Sequence, residues 1–246
     1  MPPRFPIAFL ALALAAGTCF GQKRPGEDMA GTKEEAGYRQ GVGRVLWSFP
    51  EGMKAIFAVP HWTAGARVIC EPRRGYGRAC RAGVQAVSPQ SEVVVFLDGD
   101  GSDAPELMAR LLAPIAAGTH DLVIGSRTRG QREPGSMNLV QLLAGRAAGL
   151  ILAVLYGVRF TDMCPFRAIR REALEKLGMR EETYGWNLEM QIRAARAGLR
   201  ILEVPVDHRR RTGGKSKVSG TVAGTIRAGT RILFTFFRVV SSGKHS

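Results

Sequence analysis

The chain has 246 residues and a formal net charge of +14, with 35 Lys and Arg against 21 Asp and Glu. An apolar content of 45% argues against intrinsic disorder, and a chain of this length can bury the core of one globular domain. The four cysteines show no C-x-x-C spacing, which argues against a zinc site or a disulfide scaffold and fits a reducing compartment.

The first 22 residues contain an apolar stretch, residues 7–16, that follows Arg4 and precedes small residues. This order is typical of a secretory signal. We favour the alternative that residues 1–22 are an unstructured segment, because the motifs after residue 65 are typical of a cytosolic protein. We therefore expect one domain over residues 23–221, followed by a basic helix and tail over residues 222–246.

Short apolar runs alternate with amphipathic segments along the rest of the chain, which predicts an α/β fold. The run at 92–97 is continuous and rich in β-branched residues, as in a parallel sheet that is covered on both faces. Strands are predicted over 54–59, 66–70, 92–97, 121–124 and 200–204, and helices over 34–47, 73–87, 104–117, 137–156, 172–177, 188–197 and 222–240.

The sharpest local signal is the acidic loop Asp98-Gly99-Asp100-Gly101-Ser102, which follows the predicted strand 92–97. Two carboxylates at this spacing can reach one Mg²⁺ or Mn²⁺ ion, which commonly binds through one or two carboxylates and substrate phosphates. The alternative is an Asp/Gly turn before a helix cap. Because ligands bind at the carboxyl ends of strands in an open α/β sheet, we expect Arg127, which follows the strand 121–124, to lie near this loop.

The order of motifs between residues 66 and 237 resembles the family 2 glycosyltransferases, and within them the polyprenyl-phosphate mannosyl and glucosyl synthases. Each motif is weak alone, but six occur in the order of the family: ARVICEPRRGYGRACRAG, VVVFLDGDGSD, DLVIGSRTRG, TDMCPFRAIRREAL, YGWNLEMQIRAARAGLRILEVPV and HRRRTGGKSKVSGT. The resemblance implies a nucleotide-sugar-binding α/β domain of the GT-A type, with a mostly parallel sheet flanked by helices.

The resemblance also implies an activity. The protein would be an inverting, metal-dependent transferase that moves glucose or mannose from a UDP- or GDP-sugar to polyprenyl phosphate, with Mg²⁺ or Mn²⁺ as cofactor. It would act as a peripheral protein at the cytoplasmic face of an anionic membrane. A phosphate acceptor is already largely ionised near neutral pH, so no catalytic base is needed and none of the four histidines is expected to take part.

Carried onto this chain, the resemblance implies catalytic roles for Asp100, Arg127, Glu189 and Arg211. Asp98 and Asp100 would bind the metal, and Arg127 would face the lipid phosphate. The alternative for Arg127 is a strand-end salt bridge, and the alternative for Glu189 is a solvent-facing position. The resemblance also implies contacts with the sugar donor. Some lie at the Gly-rich start of the helix 73–87, whose amides would favour phosphate, and others in the basic loop HRRRTGGKSK. The implied donor contacts are Glu34, Gly75, Tyr76, Asp98, Lys215, Ser216 and Lys217.

Two departures from the family lie in the N-terminal third. The family begins with an apolar strand and a Pro-x-x-Asn-Glu-Glu turn, whereas polar residues precede Glu34 and Glu35 here, and no Asp-x-Gly-Ser loop follows residues 54–59. The alternative function is therefore an impaired homologue that binds lipid phosphate or membrane without turnover, and an intact first strand and loop would count against it. Nucleic-acid binding is disfavoured, because the basic loop has almost no aromatics for stacking.

The C-terminal region carries much of the positive charge, with nine Lys or Arg and one acidic residue from Asp207 onward. The predicted helix 222–240 combines Arg227, Arg231 and Arg238 with a Phe-rich apolar set, which is the composition of a helix lying on anionic lipid. The alternative is a helix packed on the domain, in which case residues 139–156 become the candidate for membrane contact.

Overall fold

The computed structural model of the chain describes residues 7–12, 54–57, 67–69, 71–73, 75–211, 234–236 and 238–239. These residues form one open sheet with flanking helices. The strands are β1 (Ile7–Leu12), β2 (Lys54–Phe57), β3 (Arg67–Val68), β4 (Val93–Asp98), β5 (Leu122–Ser126), β6 (Arg167–Arg170) and β7 (Ile201–Pro205). The helices are α1 (Tyr76–Gln85), α2 (Met108–Ala116), α3 (Leu139–Tyr156), α4 (Arg171–Leu177) and α5 (Trp186–Arg196).

The order of the strands across the sheet is β3-β2-β1-β4-β6-β5-β7. All neighbouring pairs are parallel except those of β6, which runs antiparallel to both β4 and β5. The prediction of a mostly parallel α/β sheet is therefore confirmed. The antiparallel strand was not predicted, because the segment RAIR offers only two apolar residues between arginines.

Strand β1 comes from the N-terminal apolar stretch. It pairs in parallel with β2 on one side and with β4 on the other. The prediction that residues 1–22 are unstructured is therefore wrong for Ile7–Leu12, and an apolar strand does precede β2. An interior strand of a parallel sheet is commonly a continuous apolar run. The apolar core of a secretory signal has the same composition, which explains why the sequence resembles one. Residues 13–53, with Glu34 and the predicted helix 34–47, lie outside the described residues.

The core lies between the sheet and its helices. Strands β4 and β5 are buried along their length except for Asp98, and α2, which packs on β5 and β6, turns Leu111 and Ile115 into the core, as its apolar spacing predicts. Fully burying one such side chain contributes about 1.5–3 kcal/mol. Phe96 of β4 packs near Trp186 of α5, with ring centroids 6.4 Å apart. This contact anchors the start of α5 beneath the acidic loop.

The described part of the C-terminal region packs on the domain. Residues 234–236 and 238–239 are helical, and Val239 is buried in the core. Thr235 Oγ1 donates to Glu181 Oε2 at 3.0 Å, and Arg238 forms an ion pair with the same carboxylate. The pairing of Arg238 with a buried glutamate favours the alternative of a helix packed on the domain, and contact of this helix with lipid stays a prediction. Arg227 and Arg231 lie outside the described residues.

Helix α3 leaves an apolar stripe exposed. The side chains of Leu139, Leu143, Leu150 and Val154 share one helical face by their spacing, and 56% to 78% of each residue's surface is exposed. Within the described ranges, no helix is long and apolar enough to span a membrane.

Candidate active site

The predicted site residues meet at one edge of the sheet. Strands β4, β5 and β7 run in the same direction, so Asp98, Arg127 and the segment after β7 all leave the sheet at this edge. Strand β6 runs the opposite way, and the loop 161–166 therefore enters it from the same side. The prediction that Asp98, Asp100 and Arg127 lie close together is supported by this topology.

The conformation of the acidic loop is held by two carboxylates, those of Asp100 within the loop and of Asp103 directly after it. Asp103 Oδ2 accepts a hydrogen bond of 2.7 Å from the backbone N–H of Asp98, and Asp100 Oδ1 accepts one of 3.0 Å from the N–H of Ser102. Ser102 and Asp103 are buried. Three carboxylates thus lie within six residues in a compact turn at the end of β4.

This crowding changes the acidity of the loop. Burial, together with the charges of Asp103 and Asp100, raises the pKa of Asp98 well above its usual range. Burial raises the pKa of Asp103 to about 7. The positive charges of Arg127 and Arg211 act in the opposite direction on Asp98. Ionised carboxylates here repel one another, so a bound cation would stabilise the loop.

His208 lies in the site, although no histidine was expected to take part in the reaction. It is buried beside Asp103, with its Nδ1 atom 3.8 Å from Asp103 Oδ1, and neither atom has a hydrogen-bond partner. Burial and the charge of Arg127 lower the pKa of His208 to about 4, so the imidazole is neutral near pH 7. The only sequence signal was its place at the start of the motif HRRRTGGKSK.

The donor set suits a hard divalent cation. Asp98 and Asp100 would supply carboxylate oxygens, and the buried atoms Asp103 Oδ1 and His208 Nδ1, neither of which has a hydrogen-bond partner, lie 3.8 Å apart beside the loop. Among the described residues, no three or more His, Cys, Asp or Glu side chains come together in a group that could hold a metal ion by themselves. The arrangement therefore fits an ion that takes further ligands from bound phosphate.

Arg127 is bound to Asp162 in the geometry of a fork. Its Nε and Nη2 atoms donate to the two carboxylate oxygens at 2.7 and 2.8 Å, and its backbone N–H donates to Oδ2 at 3.0 Å. The predicted alternative, a salt bridge at the end of the strand, is therefore present. The Nη1 atom has no partner among the described residues and is not fully buried, so this salt bridge leaves both N–H groups of Nη1 open.

The basic segment after β7 is tied to three different acidic residues. Arg209 pairs with Glu106, the N–H of Arg210 donates to Glu133 Oε2 at 2.7 Å, and Arg211 Nε lies 2.9 Å from Asp100 Oδ2. Arg211 thus lies at the acidic loop, and the catalytic role that the family resemblance implies for it stays a prediction. The predicted donor contacts further along the basic loop are Lys215, Ser216 and Lys217, and these three residues lie outside the described residues.

The start of α1 is closed by backbone contacts. The N–H groups of Gly77 and Arg78 donate to the carbonyls of Thr183 and Glu182 at 3.2 and 3.0 Å. The prediction that these helix-start amides bind phosphate is therefore wrong for both groups. A Cβ on Gly75 or on Gly77 would clash with the carbonyl oxygens of residues 182 and 181, so the glycines permit close packing. Tyr76 is buried, which raises the pKa of its hydroxyl.

Glu189 is fully buried in α5, so its predicted alternative of a solvent-facing position is wrong. Its Oε2 atom accepts from the N–H groups of Arg180 and Glu181 at 2.9 and 2.6 Å, and its Oε1 atom lies 2.9 Å from Arg193 Nε. These contacts hold the loop that packs on the start of α1. A direct role with the donor sugar stays a prediction.

Comparison with known proteins gives the same family. The model of glycosyl transferase family 2 matches residues 53–178. An uncharacterized glycosyltransferase of Mycobacterium tuberculosis is 39% identical over 209 residues, which are 80% of this chain and 90% of that protein. The undecaprenyl-phosphate mannosyltransferase of Micrococcus luteus is 37% identical over 142 residues, or 54% of this chain and 56% of that one. The polyprenol monophosphomannose synthase of Mycolicibacterium smegmatis is 34% identical over 154 residues, or 61% and 58%.

Solved structures share the fold. A crystal structure of glucosyl-3-phosphoglycerate synthase from Mycobacterium tuberculosis, in complex with Mn²⁺, UDP-glucose and phosphoglyceric acid, aligns with a TM-score of 0.63 at 18% identity, covering 96% of this chain and 79% of that one. This likeness shows the fold, and the matched model and the 39% identical relative show the family. The chain belongs to glycosyl transferase family 2.

Proposed function

We propose that this protein transfers a hexose from a nucleoside-diphosphate sugar to polyprenyl phosphate at a membrane surface. The observation that carries the proposal is the meeting of Asp98 and Asp100 with Arg127 and Arg211 at one sheet edge. One cation site and two arginines suit a reaction between two phosphate-bearing substrates. The two relatives named for transfer to undecaprenyl phosphate and polyprenol support this substrate class.

The acidic loop and Arg211 would serve the donor. Asp98 and Asp100 would hold the divalent cation, with His208 and Asp103 behind them. When bound, the cation supplies charge that neutralises the leaving nucleoside diphosphate. Arg211 lies close enough to Asp100 to contact the same diphosphate. Glu34, Lys215, Ser216 and Lys217 remain proposed donor contacts, and Glu189 supports the α5 side of this pocket through its buried hydrogen bonds.

Arg127 would serve the acceptor. Its open Nη1 atom can donate to a phosphate oxygen while Asp162 holds the other side of the guanidinium. An ionised acceptor phosphate needs no proton removed before it attacks the anomeric carbon. His208 is neutral and buried against Asp103, which suits a structural or ligand role better than that of a base. A single displacement of this kind would invert the anomeric centre.

The exposed stripe on α3, formed by Leu139, Leu143, Leu150 and Val154, favours contact with lipid. A contiguous apolar surface on a protein of this charge marks an interaction site. We therefore propose α3, rather than the helix containing Arg238, as the membrane contact. Anionic lipid would add attraction to the basic chain.

The impaired homologue is the second candidate. This hypothesis depended on two features, an absent first strand and an absent Asp-x-Gly-Ser loop. The first feature no longer holds, because β1 is an apolar strand that pairs with β2 and β4. Residues 58–66, where the Asp-x-Gly-Ser loop was expected, lie outside the described residues. An active transferase is therefore favoured.

The test is a transfer assay with UDP-glucose and GDP-mannose side by side, using Mn²⁺ and a short-chain polyprenyl phosphate. Transfer of either sugar to the phosphate, with none to the matched unphosphorylated polyprenol, is the expected result. Binding of the polyprenyl phosphate without turnover of any donor would favour the impaired homologue. Turnover that persists with EDTA would contradict the metal-dependent site.

A further inference from the structure

Arg127 is proposed to contact a substrate, yet most of its guanidinium is bound to Asp162, whose carboxylate accepts several hydrogen bonds. Asp162 is 2% exposed, and its two oxygens accept from three groups of Arg127 and from the N–H of Met163 at 2.7 Å. Removing two charges from water costs free energy, which is offset only when the geometry of the pair is this good. A buried ion pair therefore adds little net stability, so stability alone does not explain the role of Asp162.

Asp162 is itself held from two sides. The carboxylate of Glu203 on β7 accepts from the N–H of Thr161 at 2.9 Å and from the N–H of Asp162 at 3.3 Å. From α5, Gln191 Nε2 donates to the backbone carbonyl of Asp162 at 2.9 Å. Neither strand β7 nor helix α5 carries the acidic loop, so Asp162 is fixed independently of it.

Arg127 has other carboxylates within electrostatic range. Burial raises the pKa of both Asp98 and Asp103, and the positive charge of Arg127 opposes this rise, although Arg127 hydrogen-bonds to neither of them. A partly buried guanidinium that lost Asp162 would be attracted to these two residues. In that position Arg127 would neutralise the loop proposed to hold the cation and would no longer offer Nη1 to a phosphate.

We propose that Asp162 is a positioning residue that holds Arg127 away from the carboxylates of the acidic loop, which leaves the loop to a divalent cation and the Nη1 atom to the acceptor phosphate. This inference rests on the proposed function for the cation. It assigns Asp162 no contact with either substrate.

The chain contains a matched control for this pair. At the other end of β5, Asp121 binds Arg200 with the same pattern: Nε and the backbone N–H donate to Oδ2 at 3.0 and 3.1 Å, and Nη2 donates to Oδ1 at 2.6 Å. The substitution Asp121→Asn therefore breaks a pair of the same hydrogen-bond geometry, although a more exposed one, at the opposite sheet edge from the site.

The experiment is a double-mutant cycle that measures the affinity for Mn²⁺ alone by calorimetry, in wild type and in the D162N, R127Q and R127Q/D162N variants, with D121N as control. Thermal melting checks that each variant is folded. We expect D162N to weaken Mn²⁺ binding about tenfold, because Arg127 then competes for the loop. In the R127Q background the same substitution should have almost no effect, and D121N should bind as wild type does.

The outcomes separate this inference from the proposed function. Equal Mn²⁺ affinity in wild type and D162N overturns the positioning role alone. A tenfold loss that persists in the R127Q background also overturns it, because the damage would then not act through Arg127. Absence of Mn²⁺ binding in wild type overturns the proposed cation site and this inference with it. If D162N does not fold, Glu203→Gln loosens the same loop, and its smaller loss should likewise vanish with R127Q.

Discussion

The Nε atom of Arg211 lies 2.9 Å from Oδ2 of Asp100, so the protein's own cation occupies the carboxylate proposed to bind a metal ion. Both side chains retain solvent contact, with 44% of Arg211 and 15% of Asp100 exposed. An ion pair with this exposure contributes only about 0–1 kcal/mol. A divalent cation can therefore replace Arg211 at low cost, and the released guanidinium is then available to phosphate.

Substitution of Arg211 should thus have opposite effects on two ligands. We expect Arg211→Gln to raise the affinity for Mn²⁺ alone by a few-fold, because a competitor of about 1 kcal/mol is removed. The same variant should lose about tenfold in affinity for the nucleoside diphosphate with Mn²⁺, because a charge-assisted contact is lost. Calorimetry with both ligands checks this. Arg209→Gln is the matched control, since Arg209 pairs with Glu106. Parallel changes for both ligands would argue against the exchange.

Asp100 should be required for donor binding and dispensable for folding. Replacement by Asn removes a charged ligand that an amide does not restore, so metal-dependent nucleotide binding should be abolished in Asp100→Asn. The amide oxygen can still accept from the N–H of Ser102, so the melting temperature should change little. Calorimetry of UDP and GDP with and without Mn²⁺ measures the effect. Equal nucleotide affinity in wild type and variant would refute the site.

The α3 stripe should control attachment to lipid. We expect the double substitution Leu150→Gln, Val154→Gln to weaken binding to anionic vesicles about tenfold or more, since each apolar side chain removed from water contributes up to about 1.5–3 kcal/mol. Both residues are exposed, so folding should persist. Vesicle sedimentation gives the partition coefficient.

The control for this measurement is Arg238→Gln. Arg238 pairs with the buried Glu181, so its loss should lower the melting temperature and leave vesicle binding intact. A strong loss of vesicle binding in this variant, with none in the α3 variant, would return the membrane contact to the C-terminal helix.

His208 and Asp103 should give the metal-free protein opposing responses to acid. The pKa of His208 is about 4 in the folded protein, below its usual 6.5, so only the unfolded chain takes up this proton between those values and stability falls as the pH falls. The pKa of Asp103 is about 7, above its usual 3.8, so the folded protein takes up this proton first and stability rises as the pH falls from about 7.

Removing one partner should expose the response of the other. Between pH 6.5 and 5, His208→Gln should gain about 2 kcal/mol in unfolding free energy relative to the wild-type trend, and Asp103→Asn should lose a similar amount. Urea unfolding in EDTA at pH 7.5, 6.5 and 5 measures both slopes. Identical slopes in wild type and His208→Gln would show that the buried imidazole does not couple folding to pH.

Local patterns were enough to predict most elements and the family. The β-branched run of β4 leads directly into Asp98 and Asp100, and the apolar spacing of α2 identifies the face that packs on the sheet. These features depend on side-chain period and on turn residues, which a short window of sequence contains. The edge at which Arg127 and the acidic loop meet followed from strand direction in a parallel sheet.

Only the tertiary structure decided what each of these residues touches. Ile7–Leu12 becomes a strand through partners at residues 54–57 and 93–98, far along the chain, and the buried Arg167 of β6 donates to the carbonyl of Asn187, 20 residues away. Asp162 meets Arg127 across 35 residues, and His208 meets Asp103 across a still longer separation. Such pairings depend on chain topology and on the low dielectric of the interior, so they cannot be predicted from a local sequence pattern.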